Sequence, residues 1–407
     1  MHQLKLINIF GDDKPAITSA VTAVLARFDA NILDIGQAVI HNQLSLGLLV
    51  DFSHSESADQ ACTAVESAMT GHAMRVRFNT IDAQSYHDWV ALQGKPRYIV
   101  TLLSRYITAE QIAVLTDAVA QHGLNIDHIS RLSGRVALTQ AKNQPHTKAC
   151  VEFSARGEPS DALSLRRAFT DIASNLNVDI GFQRDSMYRR TRRLVCFDMD
   201  STLIEAEVID ELAKAAGVGE QVSQITESAM RGEIDFKESF IQRMALLKGL
   251  DESVLQNIAK QLPITEGAEH LILSLKKLGY KTAILSGGFS YFGRYLQDKL
   301  GIDYVYANEL DIKNGKVTGE VHTDIVDGER KAYLLQQLAH QEGISLEQVV
   351  AVGDGANDLP MLSVAGLGIA FRAKPLVKAE AEQAISTLGL DAVLYLMGFR
   401  DRELENT

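Results

Sequence analysis

Leu194-Val195-Cys196-Phe197-Asp198-Met199-Asp200-Ser201-Thr202 is an apolar run that ends in two acids, two positions apart, and then two hydroxyls. In a buried strand, side chains alternate between faces, so Asp198 and Asp200 are expected to point the same way from its carboxyl end. Open α/β sheets hold their ligands at that end. Two carboxylates so close repel unless a cation or a shared proton intervenes. The stretch therefore implies a metal site, with one acid free to act as a nucleophile.

Outward from this stretch, helices alternate with short apolar strands. Thr282 to Leu285, Val349 to Val352 and Gly366 to Ala370 read as buried strands, the first two each ending in a polar, glycine-bearing loop. That alternation predicts a doubly wound parallel sheet. Between the strand at Leu194 and the strand at Thr282 lies a long helical stretch, expected as a helical cap at about 208–262 inserted over the strand ends. The domain then spans 194–407.

The chain upstream reads differently. Leu4 to Phe10 alternates as a strand, followed by an amphipathic stretch, Pro15 to Phe28, and a second strand from Asp29 to Ile35. A constant shift of 94 residues carries Leu4 to Tyr98 and Asn31 to Asn125, where the same order recurs. Each copy reads βαββαβ, a ferredoxin-like α+β arrangement, and duplication accounts for the match. The expected layout is a first module over 1–83, a linker over 84–97, a second module over 98–183 and a solvated basic linker over 184–193.

At 407 residues, two or three domains are expected. A composition of 46% hydrophobic and 23% charged residues is that of an ordinary globular protein. The net charge of −12 argues against general nucleic-acid binding, which depends on neutralising phosphates. No apolar run approaches a membrane span, and the amino-terminal residues lack a secretory pattern, so a cytoplasmic location is expected. Cys62, Cys150 and Cys196 match neither a disulfide framework nor a zinc cluster.

The chemistry-bearing elements are the Asp198 loop, Ser286-Gly287-Gly288, Lys331, and Gly353-Asp354-Gly355-Ala356-Asn357-Asp358. Singly, each has an ordinary reading: a solvated turn, a helix cap, a surface lysine. Together, in this order, and with Met230-Arg231-Gly232 and Phe236, they resemble the haloacid dehalogenase superfamily, and within it the phosphoserine phosphatase family, over about 185–400. The resemblance implies Mg²⁺-dependent hydrolysis of O-phospho-L-serine, the last step of serine biosynthesis. Asp198 would attack phosphorus and form an aspartyl-phosphate. Asp200, close enough to protonate the leaving alkoxide, would then deprotonate the attacking water.

The same resemblance implies further roles. Asp198, the Asp200 carbonyl and Asp354 would bind Mg²⁺, with Asp358 supporting that shell. Ser286, the Gly287 amide and Lys331 would hold phosphoryl oxygens, and Asn357 would orient phosphate or Lys331. Thr202 would contact phosphate or cap the next helix. Glu207 and Arg243 would take the ammonium and carboxylate of the amino acid, Arg243 through its bidentate fork. Met230 and Phe236 would close the pocket, unless both are simply core. A related phosphatase or phosphotransferase for another small phosphomonoester, or an amino-acid sensor, are the competing expectations.

The two upstream copies resemble the ACT family of amino-acid-sensing modules over 1–183. That implies a homodimer and an amino-acid effector near Gly11 to Lys14. The second copy has Ser104-Arg105-Tyr106 at the corresponding turn. Dimerisation or stability alone is the other reading of the pair.

Overall fold

A computed structural model describes residues 3–53, 58–137, 147–231, 233–322 and 324–404, without the Met230 side chain. Met230's side chain and Gly232, both singled out above, therefore lie outside the described residues. The chain divides into two compact units, Met1–Lys95 and Pro96–Thr407.

In the first unit, strands run Asn31–Ile40, Gln43–Asp51, Leu4–Asp12, Arg75–Ile81 from edge to edge, all antiparallel. Leu44, Leu46, Leu48 and Val50 alternate inward along one strand, where they meet Val21, Leu25, Val65 and Met69 of the helices Ile17–Ala26 and Ala58–Gly71. The segment 84–97, expected as a linker, begins as a helix, Ala83–Leu92, capped by Asp82 accepting from the Ser85 amide at 2.8 Å.

The second unit opens with a module of the same strand order: Asn125–Arg131, Ala149–Arg156, Arg97–Ser104, Asp179–Arg184. The internal repeat is thus a repeat of fold. Thr108 and Gln111 form a reciprocal capping box at the helix Ala109–Gln121, which packs with Ala162–Leu176 over the sheet.

Downstream, a six-stranded parallel sheet runs Tyr304–Asn308, Lys281–Phe289, Leu194–Phe197, Val349–Gly353, Leu367–Phe371, Gln383–Ile385. Leu194 and Cys196 face one apolar layer, and Val195 and Phe197 face the other, so the strand is buried on both sides. From this central strand the chain builds outward to one edge, then returns to build the other. The carboxyl ends of Leu194–Phe197, Lys281–Phe289 and Val349–Gly353 therefore meet at a topological switch point. Four helices, Val208–Ala216, Gly219–Met230, Phe236–Leu246 and Ser253–Gln261, are inserted between the first two of these strands. Leu212, Val222, Phe240 and Leu255 on them join the core layer of Phe197 and Phe289.

The second module is fastened to this sheet by polar contacts between distant parts of the sequence. Gln383 exchanges two hydrogen bonds with the Phe182 backbone, at 2.9 and 2.8 Å. Buried Asp179 accepts from the Ser386 and Thr387 amides and the Thr387 hydroxyl, at 2.8, 2.8 and 2.7 Å. Arg105, at the turn where the first copy carries glycine, forms a two-pronged ion pair with Glu266 at 2.8 Å.

The basic run 184–193 is largely exposed, as its composition implied, but two of its arginines depart from that reading. Arg190 and Arg193 are exposed, but Arg189 and Arg192 are buried, Arg189 against Glu152. Among the described residues, no helix is long and apolar enough to cross a membrane.

Asp179→Ala would strand three donors at this junction. It is expected to cost about 2–3 kcal/mol, read as a lower denaturant midpoint for the second unit. An unchanged midpoint would contradict the importance given to this contact.

Candidate active site

Asp198 is the first residue past the central strand, and its amide still extends the ladder, donating to Val352 O at 2.9 Å. The strand stops there, so Asp198 and Asp200 are not brought together by strand alternation. A wide turn over Met199–Leu203 does that work, with Ser201 in the left-handed region at φ 55°. The turn delivers the Asp200 carboxylate to the start of the next helix, where it accepts from the Val208 amide at 3.1 Å. Its other oxygen lies over Gly288: a β-carbon on that glycine would sit 2.5 Å from Asp200 Oδ2 and 3.2 Å from Ser286 Oγ. Only a bare backbone lets the Asp200 turn and the Ser286 loop approach this closely.

Lys331 holds the centre. It is fully buried on the helix Gly328–Gln341, whose first turn is capped by Asp327. Its ammonium lies 2.8 Å from Asp198 Oδ1 and 2.6 Å from Asp358 Oδ1, and the attraction of both keeps it firmly protonated despite burial. Asp358 Oδ2 accepts from the Gly355 amide at 2.9 Å. Thr202, expected on the phosphate or as a helix cap, donates to Asp354 Oδ1 at 3.2 Å.

Asp198, Asp354 and Asp358 each bring a carboxylate oxygen to within 4.8 Å of the others. One ammonium cannot balance three carboxylates. Burial, then the neighbouring Asp198 and Asp358, push the Asp354 carboxyl up to about 8. Burial and Asp358 likewise raise Asp198, against the pull of Lys331. A hard-oxygen cluster with excess negative charge is what a small divalent cation stabilises, so the residues present fit a cation such as Mg²⁺. Asp200 is pushed well above the usual carboxylate range by burial, then by Glu207 and Asp198.

The remaining predicted residues ring this centre. Ser286 is buried, and its Oγ accepts from the Gly288 amide at 2.9 Å. Phe236 covers Gly287, its ring tip 3.1 Å from where a β-carbon would stand, and it stacks on Phe240. Arg243 is half-buried on the helix Phe236–Leu246 and donates through Nε to Ser239 O at 3.3 Å. Burial lowers its guanidinium from the ordinary value, while Glu207, Asp210 and Asp200 oppose that shift. Asn357 makes no hydrogen bond to Lys331 among the described residues; the lysine's acid partners are Asp198 and Asp358.

Ser201 was passed over in the sequence although it sits inside the motif. Its hydroxyl donates to Glu207 Oε1 at 2.7 Å and fixes that carboxylate. The left-handed backbone that allows this left no mark in the sequence pattern.

Replacing Lys331 by Met would bury Asp198 and Asp358 without their cation. In metal-free protein this is expected to cost about 3 kcal/mol or more in denaturant unfolding. A neutral effect would contradict the central place of the lysine.

A family model described as haloacid dehalogenase-like hydrolase matches residues 192–366, and one for the ACT domain matches residues 3–80. A phosphoserine phosphatase of Streptomyces coelicolor is 38% identical over 401 residues, covering 98% of this chain and 93% of that protein. One from Mycobacterium tuberculosis is 38% identical over 401 residues, covering 98% and 94%. The crystal structure of a HAD family hydrolase from Salmonella enterica serovar Typhi superposes with a TM-score of 0.61 at 28% identity, covering 74% of this chain and 98% of that one. Similarity along almost the whole length, with the site's geometry, places the chain in the haloacid dehalogenase superfamily, among the phosphoserine phosphatases.

Proposed function

We propose that the chain hydrolyses O-phospho-L-serine to L-serine and phosphate, with Asp198 as the nucleophile and Mg²⁺ as its cation. The observation that carries this reading is the Asp198 carboxylate clamped on buried Lys331 at the meeting of three strand ends, with Asp200 beside the Ser286 loop.

Asp198 attacks phosphorus, the ester bond to the serine oxygen breaks, and the phosphoryl group passes to the carboxylate as an aspartyl-phosphate. Asp200, whose raised proton affinity keeps it protonated, gives that proton to the departing alkoxide. The resulting carboxylate then takes a proton from water as the intermediate is cleaved. Charge on the transferring group is met by Lys331, the Ser286 hydroxyl and the Gly287 amide, with Asn357 at the loop's edge. Bound among Asp198, Asp354 and the Asp200 carbonyl, Mg²⁺ would neutralise phosphoryl charge. Asp358, already bonded through both oxygens to Lys331 and Gly355, buttresses this set, and Thr202 steadies Asp354.

Glu207, steadied by Ser201, meets the substrate ammonium, and Arg243 meets its carboxylate. Phe236 roofs the phosphoryl loop and keeps water from it, with Met230 assigned the same task.

In the first ACT-like module, a pocket of about 340 Å³ is lined by Asp13, Lys14, Thr18, Ser19, Gln37 and Leu44. It suits a small zwitterion, so we assign an amino-acid effector to it. Gly11 contributes here by packing, since a β-carbon there would lie 2.6 Å from Met74 Sδ. A homodimer and a cytoplasmic location complete the reading.

Turnover of O-phospho-L-serine should require added Mg²⁺ after chelation. Arg243→Lys should raise KM for it about tenfold or more, while hydrolysis of phenyl phosphate, which lacks the amino-acid groups, stays within about twofold. Equal losses on both substrates would refute the assignment of Arg243.

A further inference from the structure

The strand Lys281–Phe289 does not pair evenly with its neighbour Tyr304–Asn308. Leu285 lies opposite Tyr306, but the next pair is Phe289 with Asn308. Four residues advance on one strand against two on the other, so Ser286, Gly287 and Gly288 bulge out of the ladder. Backbone groups on such a bulge lose their sheet partners and must find others.

Asn308 supplies the partner. It ends the edge strand, is 2% exposed, and spends both ends of its amide on backbone. Nδ2 donates to Gly287 O at 2.8 Å, and Oδ1 accepts from the Val326 amide at 2.8 Å. Val326 directly precedes Asp327, the cap of the helix that carries Lys331.

The Gly287 carbonyl shares a peptide plane with the Gly288 amide, which donates to Ser286 Oγ. Fixing one end of that plane fixes the other. With the carbonyl turned toward Asn308, its negative end is directed away from an incoming anion. With the Ser286 oxygen already accepting from Gly288, its hydroxyl proton is the group left to donate outward.

We propose that Asn308 is a positioning residue for phosphoryl transfer. It orients the Gly287–Gly288 peptide so that the Ser286 hydroxyl faces the phosphoryl group, and it ties that loop to the start of the Lys331 helix. This rests on the assignment of Ser286 and Gly287 to phosphoryl oxygens above.

The test uses the full chain carrying N308D, N308A, S286A, or S286A with N308D. Each is assayed for kcat and KM on O-phospho-L-serine, for inhibition by inorganic phosphate, and for thermal midpoint. N308D keeps the size and the acceptor toward Val326 but cannot donate to Gly287 O. It is expected to lower kcat about tenfold or more, and to weaken phosphate inhibition by a similar factor, at temperatures where it remains folded. N308A should do at least as much. The double variant should fall within about twofold of S286A alone, because both changes disable the same hydroxyl.

N308D with wild-type kcat and phosphate inhibition would overturn the proposal. So would losses that multiply fully with those of S286A, or a fall in thermal midpoint as its sole effect. If S286A itself left phosphate inhibition and kcat unchanged, the assignment of Ser286 would fail instead. Impairment by S286A but not by N308D would leave that assignment standing and remove Asn308 alone.

Discussion

The ammonium of Lys331, buried between Asp198 and Asp358, is the contact on which the rest of the site depends. Its three participants come from the end of the central strand, the helix Gly328–Gln341 and the turn Ala356–Asp358. Removing any of these charges from water costs several kcal/mol, so none can be buried there alone. Held together, they fix where the strand ends, the helix and the turn must lie. Asp354 adds a further carboxyl whose ionised form the lysine does not balance, and its proton affinity is raised accordingly. The free site is therefore electrostatically incomplete, and a metal cation would complete it.

That arrangement also sets the tolerances around it. The Asp200 turn can reach the Ser286 loop only because Gly288 has no side chain. The loop itself is a bulge in an otherwise regular parallel ladder, so its backbone groups leave the ladder, and the Gly287 carbonyl turns to the Asn308 side chain. Phe236, from the helical insertion, closes over the same loop. The groups proposed to grip phosphate and the groups proposed to read the amino acid thus come from different layers, the strand ends and the inserted helices. On the other side of the sheet's edge strand, Gln383–Ile385, the second ferredoxin-like module is bonded through Asp179 and Phe182.

The parallel sheet was legible because its strands are continuous apolar runs, and the duplicated modules because their alternation recurs at a fixed spacing. The Asp-x-Asp pair was legible as a site, but the reason first given for it was not the operative one. Alternation would have put both acids on one strand face, whereas the strand ends at Phe197 and the chain turns from Met199 onward, before Asp200 is reached. Burial of Arg189 and Arg192 was invisible because local composition says nothing of Glu152, the partner of Arg189, or of the Gly366 carbonyl, a partner of Arg192, both far away in sequence. The helix at 83–92 had a readable start in Asp82, but none of its residues is buried, so no strong apolar stripe announced it. Asn308 carried no motif at all, since its partners lie about 20 residues away on either side.

The most direct test of the account is to trap the phosphoryl group on the protein. The full chain is mixed with O-phospho-L-serine and Mg²⁺, quenched in acid within the first turnover, reduced with borohydride, and digested for mass spectrometry. The account predicts that Asp198, and no other residue, is converted to homoserine in a substrate-dependent way. Conversion at Asp200 or Asp354 instead, or rapid release of phosphate with Asp198 never modified, would contradict it.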